Sequence, residues 1–257
     1  MIGVFDSGVG GLSVLRAMKS LRTDVPLMYL ADSAHAPYGE RDARFVLDRS
    51  ERLTRLLMSR GARRIVIACN TATAWAVDAL RDRFPGTMFV GVEPGIKPAV
   101  ALSRTGHVAV LATPGTLASP RFAALVARHS PDTQVTGIAC AGLAAEIERG
   151  AWDSSELANL LDRYCEPLNG TAVDTLVLGC THYPFVAGDI ARRVGPGVSL
   201  LDTSDAVARQ ALSNWPSGGG TGDRAPITLM STGDESVLRR LARIGLDVDQ
   251  PVEQVSC

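Results

Sequence analysis

The sequence carries almost no net charge and has no long apolar run. Its 257 residues include 26 lysines and arginines against 27 acidic residues, which gives a formal charge of −1. This balance creates no overall field that would recruit nucleic acid or an anionic membrane, so we expect neither as a partner. No stretch reaches the roughly 18 apolar residues that a membrane span requires. The first residues, MIGVFDSGVGG, lack the basic and apolar segments of a signal peptide, and we therefore expect a soluble, cytoplasmic protein.

Cysteine and lysine are also scarce, and both shortages narrow the chemistry. The five cysteines are scattered and odd in number, unlike the paired framework of a secreted disulfide-rich protein. They form no C-x-x-C motif and show no zinc-type spacing, so they predict no metal site. Neither Lys19 nor Lys97, the only lysines, stands in a setting typical of pyridoxal chemistry. What remains is a reduced chain with 46% hydrophobic residues, enough for a sizeable buried core.

Short apolar runs, most of them rich in β-branched residues, predict strands along the chain. These runs are Ile2–Phe5, Leu27–Leu30, Ile65–Ala68, Met88–Val92, Val108–Leu111, Val135–Ala139, Leu176–Leu178 and Ile227–Met230. Helical stretches separate them, including a charged one at 40–60 whose arginines we interpret as a solvated surface. A glycine-rich segment at 217–221 predicts a flexible surface loop. The alternation is typical of an α/β protein.

Two of the predicted strands end in the same way, with a cysteine, polar side chains and the start of a helix. RIVIACNTAT ends with Cys69, Asn70 and Thr71, and TLVLGCTHYP ends with Cys180, Thr181 and His182. Ligands bind beyond the carboxyl ends of strands in an open α/β sheet, and a helix start favours thiolate over thiol. A single free cysteine is usually a small buried residue, as we expect for Cys140 and Cys165, and terminal Cys257 is expected to be inert. Because their spacing predicts no metal site, the matched pair instead indicates redox partners or acid/base groups.

Other strand ends add polar residues to the same rim. Asp6 and Ser7 follow the first strand and open a glycine turn, whose backbone N–H groups suit a carboxylate or a phosphate. Helix capping is the simpler alternative for both side chains. Ser13 stands where a dinucleotide fingerprint would have its third glycine, so that class of cofactor is not expected. Tyr38 and Gly39 lie in a loop after the second strand, which we expect to border the same cleft.

The order of these features repeats once along the chain. The strand Val108–Leu111 precedes a small-residue turn like the one after Phe5, and both this pair and the two cysteine segments are offset by about 105 to 110 residues. We predict two pseudo-symmetric, doubly wound α/β lobes with parallel-rich sheets and an active site in the cleft between them. The first lobe would comprise 1–94 and 206–257, and the second lobe 95–205.

Two thiols on opposite walls of one cleft suit the inversion of a carbon centre. One group removes a proton from one face as a thiolate, while the other delivers a proton to the opposite face as a thiol. The pKa of a cysteine is ordinarily about 8.5, and a helix start or a neighbouring histidine can tune it toward neutrality. Backbone N–H groups and hydroxyls at the rim would stabilise the developing carbanion. The pattern therefore favours proton transfer between two bases.

Longer motifs of the sequence resemble those of a known enzyme family. FDSGVGGLSV, PYGE, ACNTATA, GVEPGIKPA, LGCTHYPF and STGD follow one another in this order over almost the whole chain. They are similar to motifs of the glutamate racemases, in the cofactor-independent aspartate/glutamate racemase superfamily. The resemblance implies conversion of L-glutamate to D-glutamate, a peptidoglycan precursor, without a metal or pyridoxal phosphate, and it allows for a homodimer. Related aspartate racemases are expected to have Glu at the position of His182, which favours glutamate as the substrate.

The resemblance also implies roles for individual residues. Cys69 would deprotonate D-glutamate, and Cys180 would deprotonate L-glutamate. His182 would assist Cys180, and Asp6 would assist the Cys69 side. Glu148 matches a further acidic helper of the family. The residues implied to hold the carboxylates and the amine of the substrate are Asp6, Ser7, Tyr38, Gly39, Asn70, Thr71, Thr113, Thr116, Thr181 and His182.

Four other interpretations stay open from the sequence. The chain could be a racemase of the same superfamily that acts on aspartate or a related acid. A one-thiol decarboxylase of similar fold would lack one of the two cysteines. A non-catalytic interaction protein, for example one that binds a DNA topoisomerase, would keep its effect without either thiol. A redox protein would join Cys69 and Cys180 in a disulfide under mild oxidation.

Overall fold

The computed structural model describes residues 1–216 and 225–257, in which strands and helices alternate. Six strands of the described chain form the first sheet: β1 Ile2–Asp6, β2 Leu27–Ala31, β3 Arg64–Ile67, β4 Met88–Gly91, β9 Ile227–Ser231 and β10 Val252–Gln254. Within the same ranges, four strands form the second sheet: β5 His107–Ala112, β6 Gln134–Ala139, β7 Thr175–Leu178 and β8 Ser199–Leu201. The predicted loop at 217–221 lies outside the described residues.

Both sheets are parallel. The strand order is β10-β9-β2-β1-β3-β4 in the first sheet and β6-β5-β7-β8 in the second. In the first sheet, Val4 of β1 lies between Tyr29 of β2 and Val66 of β3. The parallel register brings the carboxyl ends of β1 and β3 to the same edge, and those of β5 and β7 to the corresponding edge of the other sheet.

Helices connect the strands. The α-helices are α1 Leu12–Leu21, α2 Ala43–Ser59, α3 Asn70–Arg83, α4 Ile96–Leu102, α5 Pro114–Leu117, α6 Pro120–His129, α7 Leu143–Glu148, α8 Ser155–Cys165, α9 Ala187–Val194, α10 Ser204–Leu212 and α11 Ser236–Leu246. Short 3₁₀ turns cover Ser33–His35, Tyr38–Glu40, Glu166–Leu168 and Tyr183–Val186.

Each sheet is covered by helices on both faces. On the first sheet, α1, α10 and α11 pack on one face, whereas α2 and α3 pack on the other. On the second sheet, α7, α8 and α9 cover one face, and α4 and α6 cover the opposite face. Strands buried on both faces read as continuous apolar runs, which is why β1, β3 and β7 are clear in the sequence. The predicted doubly wound α/β architecture is confirmed.

The eight predicted strands are all present, and the structure adds β8 and β10, which the sequence does not predict. Each has only three residues, Ser199–Leu201 and Val252–Gln254, and each lies at a sheet edge, where burial is too one-sided to leave a continuous apolar run. The described strands of the first sheet come from 2–91 and 227–254, and those of the second from 107–201. We retain the division at 94/95 and 205/206 as a proposal, although the later boundary lies inside α10, which packs on α1. No helix in the described part of the chain is long and apolar enough to cross a membrane.

Candidate active site

The first cysteine of the matched pair caps a helix. Cys69 follows β3 and is the N-cap residue of α3, where its Sγ accepts a hydrogen bond from the backbone N–H of Ala72 at 3.4 Å. On its other side, Cys69 Sγ lies 3.7 Å from the hydroxyl oxygen of Ser7. The side chain is buried, with 5% of its surface exposed. The predicted arrangement of strand, thiol and helix start is therefore present here.

The second cysteine lies in a different local structure. Cys180 follows β7, but the chain next forms the 3₁₀ turn Tyr183–Val186, and α9 begins only after it. Cys180 therefore precedes a short 3₁₀ turn that has His182 as its N-cap, rather than the start of an α-helix that the sequence predicts. Its nearest polar partner is instead the ring of His182, whose Nδ1 lies 3.7 Å from Cys180 Sγ. An imidazole, rather than a helix N-terminus, is therefore the polar group beside the sulfur of Cys180.

His182 connects the second thiol to a carboxylate. Its Nε2 lies 2.6 Å from Oε2 of Glu148, the last residue of α7, and the histidine itself is buried. Burial alone would lower the pKa of His182, but hydrogen bonds to Cys180 and Glu148 and the negative charges of both groups raise it well above its usual value. The imidazole is therefore held in its protonated form between a sulfur and a carboxylate.

The glycine turn of the first lobe binds a carboxylate, but that carboxylate belongs to the protein. The backbone N–H of Val9 donates to both oxygens of Glu148, at 3.1 and 2.9 Å. A Cβ on Gly8 would overlap the Glu148 carboxylate, and a Cβ on Gly10 would lie 2.5 Å from Nδ1 of His182. The two glycines are needed because a turn of the first lobe packs directly on the catalytic candidates of the second.

Asp6 joins the two thiol segments. Its Oδ1 accepts hydrogen bonds from the hydroxyl of Ser7 at 2.9 Å and from the N–H of Gly8 at 3.2 Å. Its Oδ2 accepts from the hydroxyl of Thr181, next to Cys180, at 2.8 Å. Burial raises the pKa of Asp6 to about 6, an effect that protonated His182 and the hydroxyl of Thr181 partly offset. This carboxyl therefore titrates near neutrality.

The same burial acts on the first thiol. Burial and the nearby charge of Asp6 raise the pKa of Cys69 to about 12, while the N–H of Ala72 and the hydroxyl of Ser7 pull it down. The helix start therefore acts on the pKa of Cys69 in the expected direction, but burial outweighs it, and the group is a thiol rather than tuned toward neutrality.

Three of the predicted hydroxyls form one cluster across the lobes. Thr71 Oγ1 lies 2.9 Å from Thr113 Oγ1 and 3.3 Å from Thr116 Oγ1, and the latter two are 2.9 Å apart. Asn70 precedes Thr71 and is buried, yet its Nδ2 has no hydrogen-bond partner. A buried amide donor without a partner is costly, so this atom points to a ligand acceptor in the functional state.

Tyr38 and Gly39 reach the site in different ways. The hydroxyl of Tyr38 donates to Asp32, so it is not available to a ligand, while its ring packs in the same cluster as Cys69. Gly39 faces the second lobe, where an added Cβ would lie 2.7 Å from Cβ of Thr113. The structure therefore brings all the predicted site residues to the contact between the lobes, with Tyr38 there as a packed side chain.

One buried ion pair near this contact was not predicted. Asp32 accepts from Nε and Nη2 of Arg49 at 3.0 and 2.9 Å, and both side chains are buried. The interpretation of the 40–60 arginines as a solvated surface is wrong for Arg49. The signal was present as an aspartate directly after β2, but the burial of one arginine among many on α2 depends on tertiary packing.

Two further thiols of the second lobe form no hydrogen bond with the predicted site residues among the bonds described above. Cys140 and Cys165 are buried in the apolar cluster of the second lobe, as expected for structural residues. Burial raises the pKa of both, to about 12 and about 11. In the described residues, no group of three or more His, Cys, Asp or Glu side chains is arranged to hold a metal ion.

The parallel α/β fold of this chain is shared by solved structures of glutamate racemases. Glutamate racemase from Escherichia coli, solved with L-glutamate and the activator UDP-MurNAc-Ala, matches 99% of this chain and 97% of its own with a TM-score of 0.86 and 29% identity. An isoform of glutamate racemase from Bacillus anthracis matches 100% of this chain and 97% of its own with a TM-score of 0.86 and 27% identity. The fold class is therefore that of these enzymes.

Sequence comparison gives the family. A sequence model described as Asp/Glu/Hydantoin racemase matches residues 2–211. The chain belongs to this family. It is 50% identical over 209 residues to the glutamate racemase of Ectopseudomonas mendocina (81% of this chain, 80% of the relative), and 51% identical over 209 residues to that of Herpetosiphon aurantiacus (81% and 82%).

Proposed function

We propose that this chain racemises glutamate by transferring protons at Cα between two bases, Cys69 and Cys180. The observation that carries the proposal is the joined pair of thiol segments. From Cys69 the contacts run through Ser7 and Asp6 to Thr181, the residue after Cys180. A thiol from each lobe therefore borders one shared polar core, the arrangement that proton exchange on two faces of a carbon requires.

Cys180 is the base toward L-glutamate in this proposal. The protonated imidazole of His182, 3.7 Å away, stabilises the thiolate, and Glu148 orients the ring through Nε2. Val9 fixes the Glu148 carboxylate in turn. Removing one of these links would move the imidazolium and thereby weaken the thiolate as a base.

Cys69 is the acid in the same direction of the reaction. Its pKa of about 12 keeps it as a thiol, the form that must deliver a proton to the face opposite Cys180. The S–H points to the hydroxyl of Ser7, which itself donates to Asp6. In the reverse direction, this same path assists the loss of the Cys69 proton, so Asp6 serves the Cys69 side.

The substrate is held by polar groups around the threonine cluster. We assign this role to the backbone and hydroxyls of Thr71, Thr113, Thr116 and Thr181, together with Asn70, whose amide nitrogen lacks a partner. A structure of glutamate racemase from Francisella tularensis in complex with D-glutamate matches 99% of this chain with a TM-score of 0.84 and 26% identity. This likeness supports glutamate rather than aspartate as the substrate here.

D-Glutamate is needed for peptidoglycan, and we propose that the chain supplies it in the cytoplasm without a cofactor. The free state of the five cysteines supports a reducing compartment. A homodimer remains a prediction from family resemblance.

The experiment that tests the function is racemisation in deuterium oxide with no added cofactor. L-glutamate and D-glutamate are each incubated with the purified chain, and the deuterium at Cα of both enantiomers is followed by mass spectrometry. We expect the product enantiomer to carry solvent deuterium from the first turnovers, while the remaining substrate stays protiated, because separate bases handle the two faces. L-Aspartate is tested in parallel as an alternative substrate. Conversion of aspartate but not glutamate would contradict the proposal, as would deuterium entering the substrate pool before the product.

A further inference from the structure

A buried ion pair lies beside the active site but has no place in the proton-transfer steps. Arg49 of α2 binds Asp32 through Nε and Nη2, and only 7% of the arginine side chain and 0% of the aspartate side chain are exposed. Nη1 of Arg49 donates to the backbone oxygen of Cys257 at 2.6 Å, so the guanidinium is satisfied on both sides. A bidentate pair of this kind fixes geometry, because the planar guanidinium matches the two carboxylate oxygens.

Asp32 is the centre of a wider set of hydrogen bonds. Besides Arg49, it accepts from the hydroxyl of Tyr38 and, at 2.7 Å, from the hydroxyl of Thr232, while Nδ1 of His35 lies 3.0 Å from it. Thr232 belongs to the STGD motif, which has no role in the proposed proton-transfer steps. The motif instead supports the loop after β2, since the N–H of Ala34 donates to Thr232 Oγ1 at 3.2 Å.

The turn at Tyr38–Glu40 extends from this centre to the substrate pocket. The Tyr38 ring is fully buried against the cluster that contains Cys69, so the anchored hydroxyl fixes the ring and the backbone that carries it. Gly39, the next residue, abuts Thr113, and its carbonyl oxygen lies 2.9 Å from where a Cβ of Gly115 would be. This turn therefore packs against the segment that carries Thr113, and its position determines where the threonine cluster lies.

We propose that Arg49 is a positioning residue for substrate binding, which acts through Asp32 and Tyr38 on the turn at Tyr38–Glu40. The proposal rests on the proposed function, because it concerns how glutamate is held before its proton is moved. Arg49 itself touches no reacting atom. Loss of Arg49 would displace this turn and weaken the binding of the ground state and of the transition state equally. The change would therefore appear in KM rather than in kcat.

The test compares KM and kcat for racemisation in Tyr38→Phe, Arg49→Met and the double variant. Tyr38→Phe leaves the ion pair intact, so it keeps the test valid even where Arg49→Met folds poorly. We expect each single change to raise KM about tenfold and to leave kcat within about threefold, because uniform binding is lost. The double variant should have the KM of the single variants within about threefold, since both changes cut one chain of contacts.

Two controls separate this role from a general loss of stability. Arg52→Met removes an exposed arginine of the same helix, which pairs with Asp48, and should have the parent KM. Arg49→Lys keeps the charge without the bidentate geometry and should restore part of the affinity. A merely structural role would lower the active fraction, and hence kcat, with KM unchanged.

A parent KM in Tyr38→Phe would overturn the proposal, as would a double variant whose KM rises by the product of the two single effects. Titration calorimetry with D-glutamate, on the same variants in a Cys69→Ser background, gives the comparison without turnover. The affinities can be compared even if the two-thiol mechanism is wrong. A failure of that mechanism can therefore be distinguished from a failure of the proposed role of Arg49.

Discussion

The protonation states of single residues at this site depend on how burial affects their charged forms. The carboxyl of Asp6 and the thiol of Cys69 both have raised pKa values, because water is excluded from the contact between the lobes. The pKa of His182 is also raised, but here the charged form is the one favoured. Burial alone would lower this pKa, and the neighbouring sulfur and carboxylate outweigh it and keep the ring protonated. Proton transfer thus depends on which buried group has a charged partner.

Asp6 gives a pH-dependent contribution to stability that can be measured. The folded chain holds the Asp6 proton up to pH about 6, whereas the unfolded chain releases it at the usual lower pKa, so this contribution falls as pH rises through that window and is flat above it. The full loss is about 3 kcal/mol. We expect Asp6→Asn to remove it, so that the stability of the variant relative to the parent increases from pH 4 to pH 6 by a substantial part of that amount. Urea unfolding across this range is the measurement.

Asp48→Asn, on the exposed surface of α2, is the matched control for that series and should follow the parent. A stability difference between Asp6→Asn and the parent that does not change with pH would contradict the assignment of a raised pKa.

Among the elements, the glycine turn between β1 and α1 contacts the opposite lobe directly. Its Val9 N–H holds Glu148, and Gly10 leaves room for His182 and Thr181. The turn also explains why a sequence pattern typical of anion binding needs no external phosphate or carboxylate. The anion is supplied by α7 of the same chain.

We expect Gly10→Ala to reduce racemisation by about 100-fold or more, because a misplaced His182 loses a general acid–base contribution of that size. The new Cβ would lie 2.5 Å from Nδ1 of His182 and 2.7 Å from Oγ1 of Thr181, so the ring must move away from Cys180. The rate and the far-UV circular dichroism spectrum are measured together. Gly86→Ala, where no atom lies within 4 Å of the added Cβ, is the control and should keep the parent rate. A Gly10→Ala variant with parent activity would show that the position of His182 does not limit the reaction.

The elements also show how far sequence reasoning reaches. The central strands and the polar residues after them could be predicted, because burial on both faces leaves continuous apolar runs and parallel strands present their ends at one edge. The partner of Glu148, the burial of Arg49 and the delayed helix after Cys180 could not be predicted. Each depends on which surfaces pack together in three dimensions, and the local sequence around these residues does not indicate those contacts.

At the scale of the whole molecule, the two sheets are joined by polar contacts on more than one side of the site. The indole N–H of Trp75 donates to the carbonyl of Gly115 at 2.9 Å. Near the link between the sheets, Arg121 of α6 binds Glu93 at 2.6 Å and Asp78 of α3 at 2.8 Å. These contacts hold the lobes together in the arrangement in which both thiols are buried.

Arg121 gives a prediction for this closed arrangement. The pairs are partly exposed, so Arg121→Met should change the free energy of unfolding by less than about 1 kcal/mol. We expect KM for glutamate to rise a few-fold at 0.1 M salt, because the lobes are held less firmly. The difference from the parent should shrink at 1 M salt, where the Debye length falls from about 10 Å to about 3 Å and the parent loses the same attraction. Arg128→Met on the same helix is the control. An effect on KM that is independent of salt would contradict an electrostatic role.

The central claim is that each thiol serves one face of the same carbon, and elimination from glutamate analogues with a leaving group at Cβ tests it most directly. Elimination needs only the base that removes the Cα proton, whereas racemisation needs both groups. We expect Cys69→Ser and Cys180→Ser each to lose racemisation by orders of magnitude. Cys180→Ser should retain elimination from the D-analogue, and Cys69→Ser should retain elimination from the L-analogue. Racemisation at the parent rate in both variants, or the loss of elimination from both enantiomers in each, would contradict the account.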